Sequence, residues 1–245
     1  MTNPNAAPAR PSYFSIAPAT SLLIFVNVAV YVWMGLRGVS WMQPSTGALF
    51  AFGGDLPLVT LTGEGWRLFT CMFLHAGLVH LGLNMYVLAF TGPRVEIEFG
   101  TPRMLAIYLA GGLLSSCASV WWGARHMLAT DRFGQQVPHM AVSVGASGAV
   151  MALFGSLLAL LLAPPPRAGA GALPAPMDRS LIQVVVINLG MGFAIPGVDQ
   201  AAHVGGLVGG FAIGLVMAAL PAARGTGAVL ARFAATAALT PVTQG

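Results

Sequence analysis

A chain of 245 residues that is 56% hydrophobic and only 7% charged lacks the polar surface of a soluble domain, in which about a quarter of residues are charged. Its eleven basic residues, all arginine, outnumber seven acidic ones for a net charge of +4. The arginines stand singly between apolar runs, which argues against a nucleic-acid partner and for orientation and anchoring in a lipid bilayer.

Residues 1–18 read as a short cytoplasmic segment, with one arginine, Arg10, and neither a signal peptide's apolar core nor a transit peptide's arginines. The first apolar run, Ala19–Leu36, is long enough to span. The connection 37–67 carries Trp41, Met42, Leu49, Phe50, Phe52, Leu56 and Leu58, which a soluble loop would not, so it is expected to lie partly in the lipid interface. A second run, Leu68–Thr91, is followed by a short connector with Arg94, Glu96, Glu98 and Arg103. The third run, Met104–Gly123, ends on Trp121 and Trp122, an interfacial signature. After a polar stretch, 124–142, the fourth run goes from Val144 to Leu162. A proline-rich break precedes the fifth, Ser180–Ile195, and a five-residue loop leads to the sixth, Ala201–Leu220. The mildly apolar stretch 226–239, in the tail 222–245, reads as interfacial or disordered.

These runs predict an all-α integral membrane protein of six transmembrane helices, with one core over 19–221. With a cytoplasmic N-terminus, the inner segments hold Arg10, Arg94, Arg103, Arg167, Arg179, Arg224 and Arg232, and the outer ones Arg37, Arg67, Arg125 and Arg132. That bias places both termini inside. Cys71 and Cys117 fall within apolar runs and are expected to be buried, reduced thiols. No spacing suggests a metal site, and no cofactor is implied.

Polar residues at membrane depth need a reason. His80 and Asn84 are four apart, on one helix face about halfway along the second run. Ser147 opens the fourth run within GASGA, where Gly145 and Gly148 allow a tight entry into the helix. His203 opens the sixth, ahead of GGLVGG at 205–210; Gly206 and Gly210 within it and Gly214 beyond it form a small-residue face that suits backbone-to-backbone contact with a neighbour. In the six-helix topology these four can meet in a cavity open to the outer side. Each also has a plainer reading: the serine as an N-cap, His203 as bonded to a backbone carbonyl, and His80 and Asn84 as interhelical glue worth about 0.6–2 kcal/mol a bond. Serine beside histidine makes an acyl-transfer nucleophile and its base. Asp199 lies close by in the loop, but a third member is not required.

The pattern resembles the rhomboid family of intramembrane serine proteases. The likeness rests on HAGLVHLGLNM at 75–85, GASGA at 145–149 and DQAAHVGGLVGG at 199–210, with GWR at 65–67 resembling the end of that family's first loop. It implies Ser147 as nucleophile, His203 as general base, and His80, Asn84 and the Ser147 backbone N–H as oxyanion donors, supported by Gly145, Gly148, Met151 and Gly206. It also implies a first loop lying sideways in the outer leaflet, and Glu96 as a tether for the turn after the second helix. Met151 stands where the family usually has tyrosine or phenylalanine, and Gln200 where asparagine is common. The resemblance implies endoproteolysis of transmembrane segments by a Ser–His dyad, with single-span or polytopic membrane proteins as substrates, in contact with the lipid bilayer and with no nucleic-acid partner; the expected location is a bacterial inner membrane. The alternative is a catalytically silent relative that binds membrane proteins.

Overall fold

The computed structural model describes residues 17–126, 128–130, 135–138, 141–163, 179–194 and 197–220. The expected N-terminal segment, apart from residues 17 and 18, and the expected tail lie outside the described residues. The described chain is mostly helical. Helix α1 is Pro18–Leu36, and the following connection carries two short helices, α2 (Thr46–Ala51) and α3 (Pro57–Leu61). Then come α4 (Arg67–Thr70) with a 3-10 turn Cys71–Phe73, α5 (Leu78–Phe99) and α6 (Thr101–Arg125). A small antiparallel hairpin, β1 (Leu128–Thr130) on β2 (Gln136–Pro138), precedes α7 (Ser147–Ala159), α8 (Arg179–Ala194) and α9 (Gln200–Ala219). The hairpin departs from a purely helical fold.

Helix α1 shows what solvent the fold is built for. Its buried residues, Thr20, Leu23, Asn27, Tyr31 and Met34 among them, recur every three or four positions and include the polar Thr20 and Asn27. Its exposed residues are Leu22, Phe25, Val28, Val32, Trp33 and Leu36. An outward face more apolar than the inward one is stable only against lipid. Among the described residues α1, α6 and α9 are each long and apolar enough to cross a membrane, and α4 through α5 make a fourth if counted as one broken span. The protein is an integral membrane protein.

The second run is not one helix. The chain turns by 91° between the Arg67–Phe73 and Leu78–Phe99 helices. The break passes through Gly77, whose φ of 125° suits glycine. A methyl there would also meet the Met42 carbonyl oxygen at 2.3 Å. Helix α5 then runs through Pro93 to Phe99 and stops at Gly100. His80 is therefore in the first turn of α5, not halfway along a span.

Helix α7 forms the centre. Every residue of it except Ser147 and Leu158 is buried, as in a helix enclosed on all sides. Its 13 residues reach only about 20 Å at 1.5 Å per residue. Helices α9 and α6 pack on it. Gly206, Gly210 and Gly214 of α9 meet Gly148, Ala152 and Ser156 of α7 so closely that methyl groups on these glycines would lie 2.1, 2.0 and 2.7 Å from α7 backbone atoms. Gly205 and Gly209 turn toward Ala118 and Leu114 of α6. Around α7, Leu88, Val95 and Phe99 of α5 and Met104, Ile107 and Tyr108 of α6 complete the main apolar core.

Two buried ionic side chains tie the periphery. Helix α1 has no side-chain cap of its own. Glu96 of α5 supplies one, accepting from the N–H groups of Ala19 and Thr20 at 2.9 and 3.1 Å and from Thr20 Oγ1 at 3.0 Å. It also accepts from Thr101 Oγ1 at 2.8 Å, so it joins α1 as well as the turn into α6. In the long connection Arg67, 5% exposed, donates to the carbonyls of Phe50 and Gly54 at 2.7 and 2.8 Å and pairs with Glu64 at 2.8 Å. It thereby folds the connection around itself, leaving Trp41, Met42, Leu58, Leu61 and Trp66 exposed. Cys71 is buried, but Cys117 is exposed and corrects the expectation of two buried thiols. It sits on the α6 face that turns away from the core, beside Leu113 and Leu114, which are also exposed.

Candidate active site

Three helices present their first turns to one another. Ser147 is the first residue of α7, His203 the fourth of α9 and His80 the third of α5. The N-cap of α7 is Ala146, with no side-chain cap bond, so the Ser147 hydroxyl is not used as a cap. It lies 2.9 Å from His203 Nε2. His203 is buried, and among the described residues its Nδ1 has no hydrogen-bond partner. Among the described residues no carboxylate therefore bonds to the ring.

His80 approaches from the other side. Its Nδ1 accepts from the Ala76 N–H at 3.2 Å, which in the neutral ring leaves the proton on Nε2. That nitrogen faces Gly145: a methyl on Gly145 would lie 3.0 Å from His80 Nε2 and 3.8 Å from Ser147 Oγ. The φ of Gly145 is 130°, a conformation that suits glycine, and its N–H is held by the Cys71 carbonyl at 2.9 Å. The His80 edge and the Ser147 hydroxyl thus border one small space over Gly145. His75 packs edge-on against His80, with ring centroids 5.2 Å apart.

Of the remaining expected residues, Gly148 and Gly206 form the contact between α7 and α9 already described. A methyl on Gly148 would also collide with Ser115 Oγ. Met151 is 1% exposed, one turn beyond Ser147. Asn84 is a turn further along α5 than His80, and its Nδ2 donates to the His80 carbonyl at 2.9 Å. One of its amide hydrogens is thus spent within its own helix.

A polar network not read from the sequence surrounds the start of α9. Asp199 caps that helix through Oδ1, which accepts from the Ala202 N–H at 3.0 Å. Its Oδ2 accepts from Ser143 Oγ at 2.6 Å and from Ser119 Oγ of α6. Ser115 of α6 donates to the Ala202 carbonyl at 2.7 Å. Ser143 in turn exchanges backbone hydrogen bonds with Asp55 of the long connection, at 2.8 and 3.0 Å. Burial pushes the Asp55 carboxyl above its ordinary value. A bond from Thr60 opposes that shift, Asp199 adds to it, and Arg67 opposes it. The signal available in sequence was the serine spacing 115, 116, 119, which gathers hydroxyls on one face of an apolar helix. Among the described residues no three His, Cys, Asp or Glu side chains come together as metal ligands.

The family model described as Rhomboid domain matches residues 62–220. The chain is 34% identical over 192 residues to Rhomboid protease GluP of Bacillus subtilis (strain 168), covering 78% of this chain and 33% of that protein. It is 34% identical over 211 residues to RHOMBOID-like protein 5 of Arabidopsis thaliana, covering 85% and 63%. It is 29% identical over 207 residues to Rhomboid protease AarA of Providencia stuartii, covering 82% and 73%. The chain spans less than two thirds of the length of the first two.

Proposed function

The chain belongs to the rhomboid family, and from that premise we propose that it is an intramembrane serine endopeptidase that cuts transmembrane segments of other membrane proteins. The observation that carries this reading is the 2.9 Å contact between Ser147 Oγ and His203 Nε2, made between the first turns of two helices in a membrane core. Hydroxyl next to imidazole is the minimum for nucleophile and base.

In the proposed reaction His203 Nε2 takes the Ser147 proton as Oγ bonds to the scissile carbonyl carbon. The carbonyl oxygen gathers negative charge. The Nε2–H of His80, the second amide hydrogen of Asn84 and the N–H of Ser147 at the α7 N-terminus are the donors for it. A side chain at residue 145 would fill the space between His80 Nε2 and Ser147 Oγ, where that oxygen must sit. His203 then gives its proton to the leaving amine as the C–N bond breaks. Water hydrolyses the acyl-serine with His203 again as base. Among the described residues His203 Nδ1 meets no partner, which supports dyad chemistry in the proposed reaction, without a carboxylate bonded to the imidazolium.

The topology belongs to the same proposal: one protease core over 19–221, six passes, both termini cytoplasmic in a bacterial inner membrane, and an active site opening to the outer side. A 13-residue α7 is shorter than the roughly 30 Å hydrocarbon layer. Its first residue then sits below the outer surface, where a substrate helix arriving sideways through lipid can reach it. That helix must unwind at the cut, since a helical carbonyl is shielded by its own hydrogen bond. The family resemblance implies small residues before the cut.

The test is cleavage of a panel of single-span membrane proteins by the wild type beside S147A. Cleavage by the wild type alone supports the protease. Binding of the panel without cleavage by either points instead to a silent membrane-protein binder.

A further inference from the structure

We infer that Asp199 is a positioning residue for the dyad, joining the first turn of α9 to the segment that leads into Ser147. The inference rests on the protease reading above. Asp199 stands four residues before His203, and Ser143 four residues before Ser147. Ser143 Oγ donates to Asp199 Oδ2 at 2.6 Å, so one hydrogen bond spans the two chain segments that carry base and nucleophile. The same carboxylate caps α9 at Ala202 N and takes the Ser119 hydroxyl of α6. Its main-chain oxygen also receives the His203 N–H at 3.2 Å.

The need for such a link follows from the base itself. Imidazole is usually oriented by a partner on the nitrogen away from the nucleophile. Among the described residues His203 Nδ1 has none. The direction of Nε2 is then inherited from where the first turn of α9 sits relative to the start of α7. Glycine packing sets the distance between those helices, but it leaves them free to slide along the seam. The Asp199 bonds to Ser143 and Ser119 resist that sliding, and a carboxylate at a helix N-terminus is also favoured by the helix dipole. Each Asp199 oxygen is occupied by these donors, and the residue acts through the backbone of α9 without touching the imidazole.

The test is covalent labelling of Ser147 by a fluorophosphonate in detergent, since labelling needs the dyad but no transmembrane substrate. It is run beside kcat and KM on one transmembrane substrate and the melting temperature. Wild type should take label and S147A none. D199A should be labelled and turn over about ten- to a hundredfold more slowly, the scale of a misplaced base, with KM unchanged. D199N should regain most of that loss, because its amide nitrogen can donate to the Ser143 and Ser119 hydroxyls in place of the bonds at Oδ2, while its Oδ1 still caps Ala202 N. Should D199A fail to fold, the S119A/S143A double variant removes the same link while keeping the cap, and it should be slowed likewise. Wild-type labelling in the folded D199A or in S119A/S143A overturns the inference, as does a D199N no better than D199A or a loss confined to KM. A wild type that takes no label overturns the protease reading and this inference with it.

Discussion

Gly206 of α9 faces Gly148 of α7 with no room for a side chain: a methyl on Gly206 would sit 2.1 Å from the Gly148 carbonyl oxygen. The obstacle is backbone, which cannot rotate aside as a side chain can. G206L should therefore drive α9 off α7, lower the melting temperature, and carry His203 out of reach of Ser147. Overpacking costs about 1–3 kcal/mol or more, and G206A should show the lesser part of it. G210L, against the Ala152 carbonyl at 2.0 Å, should behave alike. Thermal unfolding and cleavage measured on the same samples check this, and unchanged values in both leucine variants would contradict the packing.

S147A and H203A should each abolish cleavage, by at least about a thousandfold, because nucleophile and base act as a unit. Neither change should unfold the protein, since the core around α7 is apolar and intact without the 2.9 Å bond. Turnover of a transmembrane substrate beside the melting curve decides it. Full activity in a folded variant would remove that residue from the mechanism.

E96A should be among the most destabilising single changes outside the site. It strips the cap from Ala19 and Thr20 and leaves those N–H groups and Thr101 Oγ1 without their acceptor. Hydrogen bonds to a charged group are worth about 1.5–3 kcal/mol each, so a loss of about 3 kcal/mol or more is expected. E96Q, which keeps an acceptor, should lose less. Denaturation of both variants in one detergent measures the difference.

M151Y puts a ring where the family usually carries one. Met151 is 1% exposed inside the main core, so the wider ring must displace neighbours and its hydroxyl must find a partner. The melting temperature should fall by a few degrees. A flat ring one turn beyond Ser147 should also restrain His203 more than a flexible thioether does, so turnover per folded molecule should be equal or higher. A variant that melts like wild type but turns over tenfold more slowly would show the opposite, that methionine is matched to this site.

The elements whose course hydropathy can follow were legible in the sequence. Helices α1, α6 and α9 begin and end within three residues of their apolar runs. The second run misled because Leu68–Leu74 is as apolar as the helix after it, and hydropathy carries no information about direction. Gly77 was the available sign of a break, and missing it put His80 too deep. Ser147, His203 and His80 were legible because a polar side chain in an apolar helix stands out against its neighbours. The place of Asp199 in the loop before His203 was legible too, but its bonds to Ser143 and Ser119 were not, since no sequence pattern brings those two serines to it. The hairpin at 128–138 was hidden in a polar stretch with neither alternation nor length. Cys117 was misplaced because an apolar run says that a residue avoids water, and both lipid and protein satisfy that.

Glu96 also bears on how the chain is made. The donors that it caps, at Ala19 and Thr20, precede it by 77 and 76 residues. During synthesis α1 enters the membrane with its first turn unfinished, and it is completed only when α5 has been translated and has docked beside it. Until then the nascent first helix is the less stable partner, open to slippage or to quality-control recognition. A ribosome stalled before residue 96 would hold an α1 more accessible to protease or to an assembly factor than one stalled after α5 has emerged.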